Sequence, residues 1–165
     1  MSKIKLLDCT LRDGGYLNDW KFGYDDIINV FDRLVRANID IIEIGFINNS
    51  RLFDKNRTIF PNGHAVNQSF EKLESKQAMI VGMIDFGTCS IEDLQPASES
   101  FMDGIRVIFK KNKAEAAIAF CGELQSLGYK VFVQSVSITS YSDEEFSELL
   151  RLVNDLKPYA FSVVD

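Results

Sequence analysis

The stretch "IDIIEIGFI", residues 39–47, holds six isoleucine or phenylalanine residues around one glutamate. A run so apolar is too short for a membrane span, which needs about 20 such residues. It has the make-up of a strand buried on both faces, the usual state of a strand in a parallel sheet. Glu43 is the anomaly. A carboxylate inside such a strand is costly unless something pairs with it.

Working outward, similar runs recur: "KIKLLDC" at 3–9, "AMIVGMID" at 78–85, "GIRVIF" at 104–109, "KVFVQSVS" at 130–137 and "AFSVVD" at 160–165. Helical patterns lie between them. Over 24–38 an apolar stripe collects Ile27, Ile28, Phe31, Leu34 and Val35. Residues 113–128 are rich in helix formers and stop at Gly128, a C-cap residue. Residues 142–158 open with Ser142 and Glu145 in capping-box spacing, and Pro158 follows. Shorter helices are expected at 67–76 and 90–100, the second bent or ended by Pro96. Residues 48–66 read as a long polar loop, of a length that is uncommon unless functional or mobile.

Strand–helix alternation implies an α/β fold with a parallel sheet and right-handed crossovers. The pattern alone fits an open doubly wound sheet or part of a TIM (β/α)₈ barrel. A whole barrel needs about 250 residues, and this chain has 165. The expectation is one partial barrel domain over 1–165, truncated to about six βα strands and finishing on a strand at "YAFSVVD". Two unpaired sheet edges would follow, and with them self-association of copies into a homo-oligomer.

Composition excludes several classes. The net charge of −6 gives no nucleic-acid footprint. Cys9, Cys89 and Cys121 are too far apart for a metal knuckle or redox pair; Cys9 and Cys121 read as small core residues. The start lacks a signal peptide and no segment spans a membrane, so a cytoplasmic location is expected.

In a parallel α/β domain the site lies at the carboxyl ends of the strands. Charged and polar residues gather there: Asp8, Thr10, Arg12 and Asp13 after the first strand, Glu43 in the second, Asp85 after the third, Gln134, Ser135 and Ser137 in the fifth, and Asp165 in the sixth. Arg12 is the evident partner for Glu43. A carboxylate at such a mouth either binds a hard cation or pairs with arginine. Gly14-Gly15 reads as a turn needing positive φ, Trp20 and Phe22 as packing, and His64 as a solvated loop residue.

"DCTLRDGG" at 8–15 followed by "IIEIGF" at 41–46 resembles the DRE-TIM metallolyases, relatives of 3-hydroxy-3-methylglutaryl-CoA lyase, homocitrate and isopropylmalate synthases, and 4-hydroxy-2-oxovalerate aldolase. The naming trio is matched by Asp13, Arg12 and Glu43, and "DGGYLNDWKFG" at 13–23 most resembles the aldolase branch. The resemblance implies a TIM barrel with Mg²⁺ or Mn²⁺ bound by Asp13. It implies a small 2-oxo acid substrate whose C–C bond is cleaved or formed through an enolate stabilised by metal and Arg12. Glu43 would hold Arg12 or a metal-bound water in place. Tyr16 stands where some relatives carry a histidine base, so either Tyr16 would move the proton or the base lies elsewhere. Asp165 and Ser137 would face the substrate. The family's His-x-His pair is absent, and with it the expectation of activity from this chain alone. Two other readings stay open: a non-catalytic α/β binding module, and an acyl-CoA lyase or condensing synthase.

Overall fold

The computed structural model describes residues 4–165. Six strands follow the sheet path β1 (Leu7–Asp8), β2 (Ile41–Ile47), β4 (Met79–Asp85), β5 (Gly104–Phe109), β6 (Lys130–Ser135) and β7 (Ala160–Val163), all parallel. A short β3 (Ile59–Phe60) lies beside β2. Helices α1 (Thr10–Asp13, a single turn), α2 (Tyr24–Arg36), α3 (Gly63–Phe70), α4 (Ala114–Ser126) and α5 (Asp143–Leu156) lie in the connections between the strands of the path, save that from β4 to β5. The fold is α/β, a curled parallel half-barrel of the kind found in (β/α)₈ barrels.

The curl shows in contacts between strands that are not neighbours. Lys5, ahead of β1, donates from Nζ to the hydroxyl of Tyr159, just ahead of β7. The two ends of the sheet path thus face each other across the concavity. Among the described residues β1 and β7 each pair on one side only, and no helix is long and apolar enough to cross a membrane.

The helices lie where the apolar periodicity puts them. α2 buries Ile27, Phe31 and Val35, and α5 buries Leu149 and Val153. Ser142 accepts from the Glu145 amide while Glu145 accepts from the Ser142 amide, the reciprocal capping box. Gly128 takes φ +90° after α4, a conformation that a side chain would resist.

Other boundaries move. β1 is only Leu7–Asp8, with Ile4 and Leu6 exposed; Lys3 lies outside the described residues. The helix expected at 67–76 is α3, six residues shorter at its end and starting at Gly63, because Asn62 caps it by accepting from the Ala65 amide. The stretch 90–100 makes two 3₁₀ turns, Ile91–Asp93 and Ala97–Glu99, on either side of Pro96. The 48–66 loop contains β3 and the start of α3.

The concave face is layered by strand alternation. Toward the amino ends, Ile41, Val81 and Phe132 pack with Leu7, Met79 and Ala160. Toward the carboxyl ends, Phe46, Ile59 and Met83 pack with Trp20 and Ile108. One step from the lower layer along β2 and β6 stand Glu43 and Gln134, and Arg106 on β5 reaches both. The alternation on β2 breaks between Glu43 and Phe46, where the register with β4 shifts. This bulge at Gly45 (φ +148°) turns Phe46 inward. A Cβ at Gly45 would lie 2.1 Å from the Thr58 carbonyl oxygen, so the bulge admits glycine alone.

Candidate active site

β2 carries β4 along one side. Its other side is shared by β1, at Ile41 and Ile42, and β3, at Phe46 and Ile47. Between those pairings the ladder on that side is interrupted at Glu43–Gly45. Into this level the chain leaving β1 inserts a single helical turn, Thr10–Asp13. The carbonyl of Cys9 receives the amides of Arg12 and Asp13, and the buried Leu11 carbonyl receives the Thr58 hydroxyl at 2.6 Å.

That turn aims Arg12 at Glu43. Arg12 Nε donates to Glu43 Oε2 at 2.7 Å, and Arg12 Nη1 donates to Asp13 Oδ1 at 2.6 Å. The other oxygen of Glu43 accepts from Arg106 Nη1 at 2.6 Å, and Arg106 Nη2 donates to Gln134 Oε1. A continuous polar chain therefore runs Asp13–Arg12–Glu43–Arg106–Gln134 across the concave face. Glu43 is fully enclosed, the two arginine side chains are 12% exposed, and Asp13 is 60% exposed.

Two guanidiniums and one carboxylate leave the enclosed part of this chain with one net positive charge. Burial opposes the charge on Arg12, but the field and hydrogen bond of Glu43, helped by Asp13, outweigh it and lift its pKa above the ordinary arginine value. Among the described residues Arg12 Nη2 has no hydrogen-bond partner, so one face of the fork is free to meet an anion.

Trp20 clamps the turn from above. Its indole Nε1 donates to the Arg12 carbonyl at 2.7 Å. Its ring covers Gly15 so closely that a Cβ there would fall 2.0 Å from Trp20 Cδ1. Asp19 and Trp20 both adopt positive φ, 55° and 57°. This is a strained pair, stabilised by an ion pair between Asp19 and Arg57 and a Lys21–Arg57 bridge. Gly14 and Gly15 themselves do not have positive φ. The expected glycine turn is thus corrected: Gly15 is required by the indole, not by its backbone. Cys9 is only half-buried, against the expectation of a core residue. Trp20 packs as expected and also fixes Arg12.

A solved structure shares this fold. It is the N-terminal domain of a putative aldolase from Bacteroides vulgatus, 18% identical, with a TM-score of 0.56 over 98% of the present chain. The chain spans 62% of the length of that structure. At this identity the likeness is one of fold. No protein-family profile and no curated protein matches the sequence.

The structure brings Arg12, Asp13 and Glu43 into one network. Tyr16 lies at its rim, 61% exposed. Its ring meets Trp20 and Phe46 edge-on, and the Arg12 guanidinium lies 5.8 Å from the centre of the same Phe46 ring. Ser137 and Asp165 each lie two residues past the carboxyl ends of β6 and β7. Ser137 is exposed in a left-handed turn, and Asp165 accepts from the Thr139 hydroxyl at 2.6 Å. Neither hydrogen-bonds to the arginine network. His64 is exposed in the first turn of α3.

Asp13 offers one oxygen beyond its bond to Arg12. Among the described residues no group of three or more His, Cys, Asp or Glu side chains could hold a metal ion. Within the described residues Asp13 is thus a single carboxylate ligand, too few to hold Mg²⁺ or Mn²⁺ by itself. Sequence reasoning missed Arg106. The signal was present: a charge interrupting "GIRVIF" at 104–109 is the same anomaly that singled out Glu43.

Proposed function

We propose that this chain is a catalytic-domain portion of an aldolase-type carbon–carbon lyase acting on a small 2-oxo acid, within the DRE-TIM group that its 8–15 and 41–46 motifs resemble. One observation carries the reading. Arg12 stands at the carboxyl mouth of a parallel half-barrel, gripped through Nε by the enclosed Glu43, with Nη2 unspent.

The reaction is cleavage of a 4-hydroxy-2-oxo acid to pyruvate and an aldehyde. A base removes the 4-hydroxyl proton and the C3–C4 bond breaks. Its electron pair moves through C3 to the 2-oxo oxygen, giving an enolate that is then protonated at C3. Arg12 faces the charge that develops on that oxygen. A preorganised donor there is the largest single contribution such a site offers. Glu43 keeps Arg12 oriented. Tyr16, at the rim, is assigned the proton transfer, and Ser137 and Asp165 the far end of the substrate. A role for Mg²⁺ or Mn²⁺ through Asp13 rests on the resemblance alone.

The test is pyruvate release from a 4-hydroxy-2-oxo acid, followed by a coupled dehydrogenase, with and without added Mg²⁺ or Mn²⁺. Turnover that falls about 100-fold or more in Arg12→Ala supports the assignment. Turnover unchanged in that variant, or none under either condition in an unaltered protein that carries the whole barrel, removes it.

A further inference from the structure

Arg106 has no counterpart among the residues that the motifs single out, yet it shares the Glu43 carboxylate with Arg12. Each oxygen of Glu43 is taken by one guanidinium: Oε2 by Arg12 Nε at 2.7 Å and Oε1 by Arg106 Nη1 at 2.6 Å. Glu43 is fully enclosed and sits in a strand buried throughout. Its backbone cannot shift, so the rotation of its carboxylate is set by those two donors. Arg106 in turn is steadied by Gln134 Oε1, which takes its Nη2. Gln134 is itself buried, and its strand β6 pairs with β5 in register from Gly104↔Lys130 to Phe109↔Ser135.

We infer that Arg106 is a positioning residue. Acting through Glu43, it fixes the plane and direction of the Arg12 guanidinium, and Gln134 completes the relay. The inference rests on the reading of Arg12 as the anion-stabilising group. It adds that this group is aimed from the far side of the concave face, from β5 and β6, and not from the motif-bearing strands alone. Without Arg106, Glu43 keeps one donor and loses its second point of fixation. Arg12 then samples other directions, and a catalytic donor misplaced by about 1 Å costs on the order of 100-fold in rate.

Two readouts on the full chain test this. The first needs no activity: hydrogen exchange at the Arg12 Nε–H, read by nitrogen-edited NMR and referenced to the Ile42 and Ile44 amides of β2. The unaltered protein should show a protected Nε–H. Arg106→Met should accelerate its exchange by roughly tenfold or more while the β2 amides hold. Arg106→Lys, whose ammonium can still donate to Glu43, should recover part of the protection. Gln134→Leu should shift exchange in the same direction as Arg106→Met, by less, and it carries the test should Arg106→Met not fold. The second readout is kinetic: kcat should fall in Arg106→Met with KM held within about twofold, the pattern of lost transition-state contact. Exchange at Arg12 unchanged in Arg106→Met, or in Gln134→Leu where the former is unfolded, overturns the positioning role. Absent turnover in an unaltered protein that carries the whole barrel would instead strike the aldolase reading and leave the exchange result to decide the relay.

Discussion

Arg106 on β5 donates to Glu43 on β2, although β4 lies between their strands. In a flat sheet two such positions would be about 9–10 Å apart. Two long side chains on one face span that distance, so the bond at 2.6 Å ties together two strands that share no ladder, and its loss should be felt in stability as well as chemistry.

Glu43→Gln should destabilise the fold by about 3–5 kcal/mol, because it leaves two part-buried guanidiniums facing each other uncompensated. Urea unfolding near pH 7 measures this. Adding Arg106→Met should recover a large part of the loss by removing the surplus charge. A single-variant change below about 1 kcal/mol would put the bridge in the class of solvated surface pairs.

The two adjacent glycines of the 8–15 motif should behave unlike each other. At Gly14 an added Cβ meets nothing closer than 3.7 Å, at Phe22, so Gly14→Ala should change stability by less than about 1 kcal/mol. At Gly15 the indole of Trp20 occupies the place of the methyl, so Gly15→Ala should displace Trp20 and cost about 1–3 kcal/mol. Equal costs at the two sites, measured by thermal unfolding, would contradict the close approach.

Trp20 is the sole tryptophan, so its fluorescence reports directly on the candidate site. Trp20→Phe keeps the ring packing but removes the donor to the Arg12 carbonyl. The expected loss is about 1 kcal/mol, together with a drop in turnover. In the unaltered protein a bound 2-oxo acid should change the emission, and Arg12→Ala should abolish that change.

Alkaline pH should weaken the fold through two buried thiols. Burial, helped at Cys89 by the charge of Asp93, pushes Cys89 up to about 12, and burial alone pushes Cys121 up to about 12. In the unfolded chain both titrate near 9.0. The folded state thus holds the protons longer, so their stabilising effect is complete below about pH 9 and is lost as pH climbs toward 12. Cys121→Ala should flatten that alkaline decline in a pH series of urea midpoints. At pH 8 in the native protein, iodoacetamide should label Cys9, which is half-buried, ahead of the other two.

Much of this architecture is legible in residue order. The runs at 78–85, 104–109 and 130–137 become β4, β5 and β6, and the Ser142–Glu145 box starts α5 where the spacing puts it. Glu43 is legible as a charge in need of a partner, and Arg12 is that partner. β3 is not, because two residues carry no periodicity and the strand exists only through the pairing of Phe46 and Ile47. The role of Gly15 is hidden because it depends on Asp19 and Trp20 both turning to positive φ, which folds the indole back over residue 15. Arg106 is legible as an anomaly but not as a neighbour of Glu43. That β5 stands two places from β2 is a matter of strand order, and no local pattern encodes that order.

The carboxylate shared by Arg12 and Arg106 gives one atom pair two duties. It ties β2 to β5, two strands that share no ladder, and it sets where the cleft's charge points. Attempts to widen the opening for a bulkier molecule by trimming the second guanidinium would therefore blunt the chemistry in the same stroke. Room for new ligands would have to come from the rim loops around Leu17 and Leu52, whose side chains stand in solvent and touch neither duty.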